Sequence, residues 1–153
     1  MLENCKTAQE RWGGVSEIID RWLKERQQVL VLYCQLSEIV DEPSDAAGET
    51  LKRMCQLMVD YVSAGHFEIY DQLVQEGREY EDSEALTEAK SLFGQVDKTT
   101  EYVLDFNDKY QEIDDLESLS PDLSKLGERL ATRFEAEDRA IEVLHTAHKD
   151  QVA

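Results

Sequence analysis

The chain has 153 residues with 34 acidic and 16 basic side chains, a formal net charge of −18 and a pI near 4.4. That length suits one domain spanning 1–153, and 41% hydrophobic residues are enough for a real core rather than a disordered acidic chain. Seven Gly and two Pro are too few for an all-β fold built on tight turns, and so negative a field repels phosphate backbones. Direct nucleic-acid binding is thereby disfavoured and a basic protein partner favoured.

Thr7 and Glu10 have capping-box spacing, which predicts a short extra N-terminal helix broken at Gly13-Gly14. The first long helix follows, with a seam of Val15, Ile18, Trp22, Val29, Tyr33, Leu36 and Val40, and it stops before Pro43. Ser44 or Asp45 caps a second helix whose stripe is Leu51, Cys55, Met58, Val62, Gly65, Ile69 and Leu73, ending at Gly77. After a polar connector from Glu79 to Asp82, Ser83-Glu84 opens a third helix with Leu86, Ala89, Phe93, Val96, Val103, Phe106 and Tyr110 inward. A fourth begins with Ser120 as cap, Pro121 in the first turn and Asp122 at the positive end of the dipole. Leu123, Leu126, Leu130, Phe134, Ile141 and Leu144 form its apolar face. The expected fold is all-α, an antiparallel up-down four-helix bundle.

The charge is unevenly spread. Net values are −1 for residues 1–40, −5 for 41–75, −10 for 76–119 and −2 for 120–153. Such a concentration on the third helix suits either a solvated face or electrostatic steering of a partner.

No cationic start leads into an apolar run, and the longest uncharged stretch, Gln27 to Ser37, is too short for a bilayer. A cytoplasmic protein without membrane contact is expected. Cys5, Cys34 and Cys55 lack metal or redox spacing and read as small apolar fillers in a reducing compartment.

Enzyme chemistry finds little support. A di-iron bundle needs two Glu-x-x-His motifs, and only Glu142 with His145 has that spacing; His145 also reads as a helix C-terminal residue. Ser63 and His66 lie three apart without a nucleophile elbow, and the glycines do not build a phosphate loop. Neither a catalytic residue nor a cofactor is expected. The stronger signal is charge lying on apolar seams. Arg26 falls between Trp22 and Val29, and Glu137 between Phe134 and Ile141. Facing inward, they would need each other or Asp60, Tyr61, His66 and Arg133; at the rim, their heads would reach water and Arg133 would pair with Glu137 on the surface.

Three runs carry a family resemblance. Asp20-Arg21-Trp22-Leu23 with Arg26, then Asp60-Tyr61-Val62-Ser63-Ala64-Gly65-His66-Phe67 with Tyr70, then Arg133-Phe134-Glu135-Ala136-Glu137-Asp138 resemble the regulator of sigma D (Rsd/AlgQ) family of bacterial anti-sigma proteins. The opening Ala8 to Gly14 is similar to its AlgQ branch. The resemblance covers the whole chain in order. It implies a helical protein that binds the primary sigma factor of RNA polymerase, chiefly region 4 and also region 2. Such binding would block core polymerase and the promoter −35 element and favour alternative sigma factors in stationary phase. Some members also bind the phosphocarrier protein of the sugar phosphotransferase system. The matching residues Arg21, Trp22, Arg26, Asp60, Tyr61, Ser63, His66, Phe67, Tyr70, Arg133, Phe134, Glu137 and Asp138 form the expected partner-binding or polar-network set. Asp60 is expected at the sigma-facing surface, and Arg26, His66 and Glu137 inward. The competing readings are a metal-binding bundle and an acidic adaptor for another basic protein.

Overall fold

The computed structural model describes residues 8–41, 45–112 and 116–152, and among these there is no strand. Helix α1 is Ala8–Ile39, α2 is Asp45–Ala64, α3 is Tyr70–Glu79, α4 is Ser83–Glu112 and α5 is Leu119–Leu144. A π turn, Gly65–Ile69, joins α2 to α3 without leaving helical geometry, so those three segments form one rod and the bundle has four. A 3-10 segment, Thr146–Val152, follows α5. Short connections make successive helices antiparallel, as expected for an up-down bundle.

The apolar seams meet along the axis. Val29, Leu36, Met54, Met58, Val103, Leu126, Ala140 and Leu144 are wholly enclosed. Their three-and-four spacing places each on the inward face of its helix. Cys55 belongs to this core, and burial pushes its thiol up to about 12, whereas Cys34 is exposed and so is not a filler. Cys5 lies outside the described residues.

Three expected boundaries move, while α4 opens at Ser83 as expected. Helix α1 runs straight through Gly13-Gly14 instead of breaking, because Trp12 anchors its first turns: the indole donates to the His145 carbonyl at 3.1 Å and stacks on the His145 ring. The capping box fell on Thr7, which lies outside the described residues, as does Ser44. Gly77 does not end the second rod but sits buried within α3, where a Cβ would lie 2.7 Å from Leu144 and 2.9 Å from Leu86. The glycine serves helix contact there. The rod ends instead at Tyr80, and Glu81 turns the chain with φ 52. Asp82 then caps α4, its Oδ1 accepting from the Ala85 N–H at 3.1 Å. Lastly, α5 starts at Leu119, ahead of Ser120, with Ser118 at its N-cap. Leu119 is fully buried, so the core extends the helix backwards. Asp122 accepts from Lys109 Nζ and the Tyr110 hydroxyl, both at 2.5 Å, stapling the end of α4 to the start of α5.

Candidate functional site

A buried polar network crosses the waist of the bundle, and Glu137 on α5 is its centre. Its side chain has no exposed surface. The Tyr61 hydroxyl donates to Oε1 at 2.7 Å, the Tyr70 hydroxyl donates to Oε2, and Arg26 and Arg133 each bring a guanidinium nitrogen to 3.5 Å. Desolvation is the largest influence and holds the Glu137 carboxyl above the usual carboxylate range, even though Arg133, both tyrosines and Arg26 oppose it. Burial and the Glu137 charge in turn push both tyrosine hydroxyls well above their ordinary value.

The two arginines finish the network differently. Arg133 is 1% exposed and buried, so the surface pairing with Glu137 is corrected to an interior one. It donates to the hydroxyls of Thr99 at 3.2 Å, Thr100 at 2.8 Å and Tyr70 at 3.2 Å. Arg26 is 11% exposed, donating Nε–H to the Tyr61 hydroxyl at 3.0 Å while another nitrogen reaches the exposed carboxylate of Asp138. Its guanidinium lies 4.6 Å from the Phe134 ring centre, with Trp22 and Tyr61 also beside it. Trp22 completes the assembly by stacking on Tyr61 and donating to the Tyr61 carbonyl at 2.9 Å.

The π turn lies beside this network. Tyr70 N–H donates to the Gly65 carbonyl five residues back, which widens the helix by one residue. Gly65 faces the Trp22 ring edge, where a Cβ would fall 2.9 Å from Trp22 and 3.2 Å from the Tyr70 hydroxyl. A glycine is therefore needed for Trp22 and Tyr70 to close on the network. The outer side of the same turn carries His66, Phe67 and Glu68, all exposed. His66 was expected inward; it instead packs edge-on against Phe67 at 4.9 Å. The extra residue in the turn keeps Gly65 and Ile69 on the inward side and leaves the three between them outside. Phe67 is 79% exposed, well beyond Val31 at 45% and Leu104 at 41%.

Carboxylates lie near that face, Glu68 on the turn itself. Asp60 and Ser63 are exposed, and Asp60 and Glu68 lie close enough to Glu25 that their charges, after burial, raise its carboxyl above the ordinary range; Arg21 acts the other way. The thirteen expected residues thus divide into two groups. Trp22, Arg26, Tyr61, Tyr70, Arg133, Phe134, Glu137 and Asp138 form the network, while Arg21, Asp60, Ser63, His66 and Phe67 lie on the outer face.

A second polar cluster, absent from the expectations, closes one end of the bundle. His145 Nδ1 lies 2.7 Å from Glu76 Oε2, and His148 Nε2 lies 2.9 Å from Asp82 Oδ2. His148 Nδ1 meets the Leu144 carbonyl at 2.9 Å, and its ring stacks on Tyr80. Glu142 is exposed and pairs with Arg139, so it and His145 do not form a ligand pair. Among the described residues no three His, Cys, Asp or Glu side chains converge to hold a metal, and no helix is long and apolar enough to cross a membrane.

The class is an all-helical bundle with an interior arginine–carboxylate–tyrosine network and carboxylates near an exposed aromatic. Comparison with known proteins gives the class its family. Residues 1–145 match the family described as "Regulator of RNA polymerase sigma(70) subunit, Rsd/AlgQ", and the chain belongs to it. It is 34% identical over 149 residues to a "Regulator of sigma D" from Yersinia pseudotuberculosis serotype O:1b, covering 93% of this chain and 88% of that protein. A protein of the same description from Enterobacter sp. (strain 638) is 34% identical over 167 residues, covering 100% of this chain and 98% of the relative.

Proposed function

We propose that this protein regulates transcription by binding the primary sigma factor of RNA polymerase, chiefly its basic helix-turn-helix region 4, through the outer face of the π turn. Phe67 carries the reading. An aromatic ring 79% exposed beside Glu68, whose charge acts together with that of Asp60 on Glu25, is suited to a partner offering an apolar pocket beside Lys or Arg. A DNA-binding surface has that chemistry, since carboxylates replace phosphates opposite the same cations. Occupying it keeps region 4 from core polymerase and the −35 element, with region 2 a secondary contact, so alternative sigma factors gain access to core. No bond is made or broken, and the setting is the cytoplasm. Membership of a family of sigma(70) regulators supports the role, and the net charge of −18 supports the sign of the partner.

The network supplies rigidity behind this face. Trp22 and Tyr70 bear on Gly65 from inside, so the turn is held in one shape before the partner arrives. Titrating labelled region 4 with Phe67→Ala and Asp60→Lys variants tests the assignment. Each is expected to weaken binding by about 2 kcal/mol or more, as hot-spot residues do, with the thermal midpoint unchanged. Wild-type affinity in both variants would show that sigma binds elsewhere.

A further inference from the structure

We infer that the outward stripe of α1 is a self-association surface on which a second copy of this chain docks antiparallel, with Val31 on the twofold axis. The stripe consists of Lys24, Gln27, Gln28, Val31, Cys34, Gln35 and Glu38, all exposed. At 100° per residue these positions fall within about 60° of Val31, on the side opposite the wholly buried Val29 and Leu36.

Two features select a second copy as the occupant. First, in a chain of net charge −18, Gln27 to Ser37 is the longest stretch without a charge. The outward face of α4 carries Asp97, Glu101, Asp105 and Asp108 around exposed Leu104, where two copies would repel; the α1 stripe places an apolar Val31 among neutral side chains. Second, the stripe is complementary to itself when reversed. Pairing each residue with the one equally far beyond Val31 sets Val31 on Val31, Gln28 beside Cys34 and Gln27 beside Gln35. Lys24, seven residues before the axis, then meets Glu38, seven residues after it. Twofold symmetry makes that ion pair twice, once at each end of the contact. In a parallel pairing Lys24 would face Lys24 and Glu38 would face Glu38, so the charges choose the antiparallel register. Asp20 falls beyond the end of the opposing α1, which stops at Ile39.

The contact is about 21 Å long, from the 14 steps of about 1.5 Å between Lys24 and Glu38, which is small beside a stable interface of about 1,600 Å² total. The association is accordingly weak and reversible, formed at high protein concentration. The stripe is separate from Phe67, so the inference does not depend on the sigma reading.

Sedimentation equilibrium on the full chain, under reducing conditions from micromolar to millimolar, tests it. Wild type is expected to shift from monomer to dimer. Val31→Glu is expected to stay monomeric, Lys24→Glu to weaken the dimer about tenfold, and Lys24→Glu/Glu38→Lys to restore it. All three positions are exposed, and circular dichroism confirms that each variant folds. Register is read by mild oxidation in a Cys5→Ser background: Gln28→Cys should give a covalent dimer through Cys34, far faster than Cys34 alone. A wild-type monomer throughout, a Val31→Glu dimer of unchanged strength, an unrescued charge swap, or cross-linking through Cys34 alone that matches Gln28→Cys would each overturn the inference.

Discussion

At the waist of the bundle the cations facing a buried carboxylate are arginines; at its end, the groups facing carboxylates are histidines. Glu137 has Arg26 and Arg133 beside it, with Tyr61 and Tyr70 filling its remaining acceptor positions. Glu76 and Asp82 have His145 and His148, which each tie a tail segment to the body. The waist joins all four rods mainly through side chains, whereas the end gathers the start of α1, the α3–α4 turn and the 3-10 segment. The interior arrangement fixes the shape of the π turn, and the end arrangement closes the bundle. Removing charge should therefore damage the first globally and the second locally.

The largest effect is expected from Glu137→Ala. It strips the counter-charge from Arg133 and leaves Arg26 with Asp138 as its remaining carboxylate, and breaking a buried pair from one side costs about 3–5 kcal/mol. Urea unfolding measures this; a loss below 1 kcal/mol would mean that the guanidiniums find other acceptors. The same carboxyl sets a pH dependence. Its folded-state pKa lies above its unfolded value, so the folded protein holds the proton more tightly. That contribution is complete below the ordinary carboxylate range and is lost as pH rises through the raised value. Glu137→Gln should flatten this part of the stability profile while wild type declines across it.

Next comes Tyr70→Phe, which removes a donor to Glu137 and an acceptor for Arg133 together. A loss of roughly 1–3 kcal/mol is expected, as for a buried hydrogen-bonding group deprived of its partner. Tyr70 lies against Gly65, so weaker region 4 binding should accompany the loss of stability. Stability lost with binding intact would separate the network from the docking face.

At the bundle end the expected change is smaller and of opposite pH sign. His148 and the Ala85 N–H hold the Asp82 carboxyl below its usual range. Its contribution is present above the unfolded value and is lost as pH falls through the depressed one. Asp82→Asn should therefore flatten the acid limb, below about pH 4, without altering the region governed by Glu137. Amide exchange in 146–152 should quicken before the core responds; simultaneous exchange throughout would show that the end and waist unfold as one unit.

Much of the fold was legible because helix period and apolar spacing repeat along all four rods. The interior site was half legible. Arg26 and Glu137 were conspicuous as charges in apolar slots, and the same signal existed, unread, at Glu76 after Ile69 and Leu73 and at Thr99 between Val96 and Val103. The outward turn of His66 had no such signal. A π turn inserts one residue into the period, and what selects it is the distant Trp22 edge against Gly65. Pairing of His145 with Glu76 likewise joins residues 69 positions apart, which no local pattern encodes.

Gly13 gives the smallest test and the most direct one of how α1 begins. A glycine pair reads locally as a break, since each glycine costs about 1 kcal/mol of helix relative to alanine. The helix continues because Trp12 stacks on His145 and bonds its carbonyl, a gain supplied by the opposite end of the chain. A Cβ at Gly13 would meet nothing within 4 Å, so Gly13→Ala should stabilise the protein by about 0.5–1 kcal/mol. At Gly65 the same change meets the Trp22 ring at 2.9 Å and should destabilise it instead. Opposite signs for two glycine-to-alanine changes, read as shifts in thermal midpoint, would show one glycine tolerated by the helix and the other required by the network. Equal signs would mean that Trp22 can move aside, and the π turn would then owe its shape to something other than the ring against Gly65.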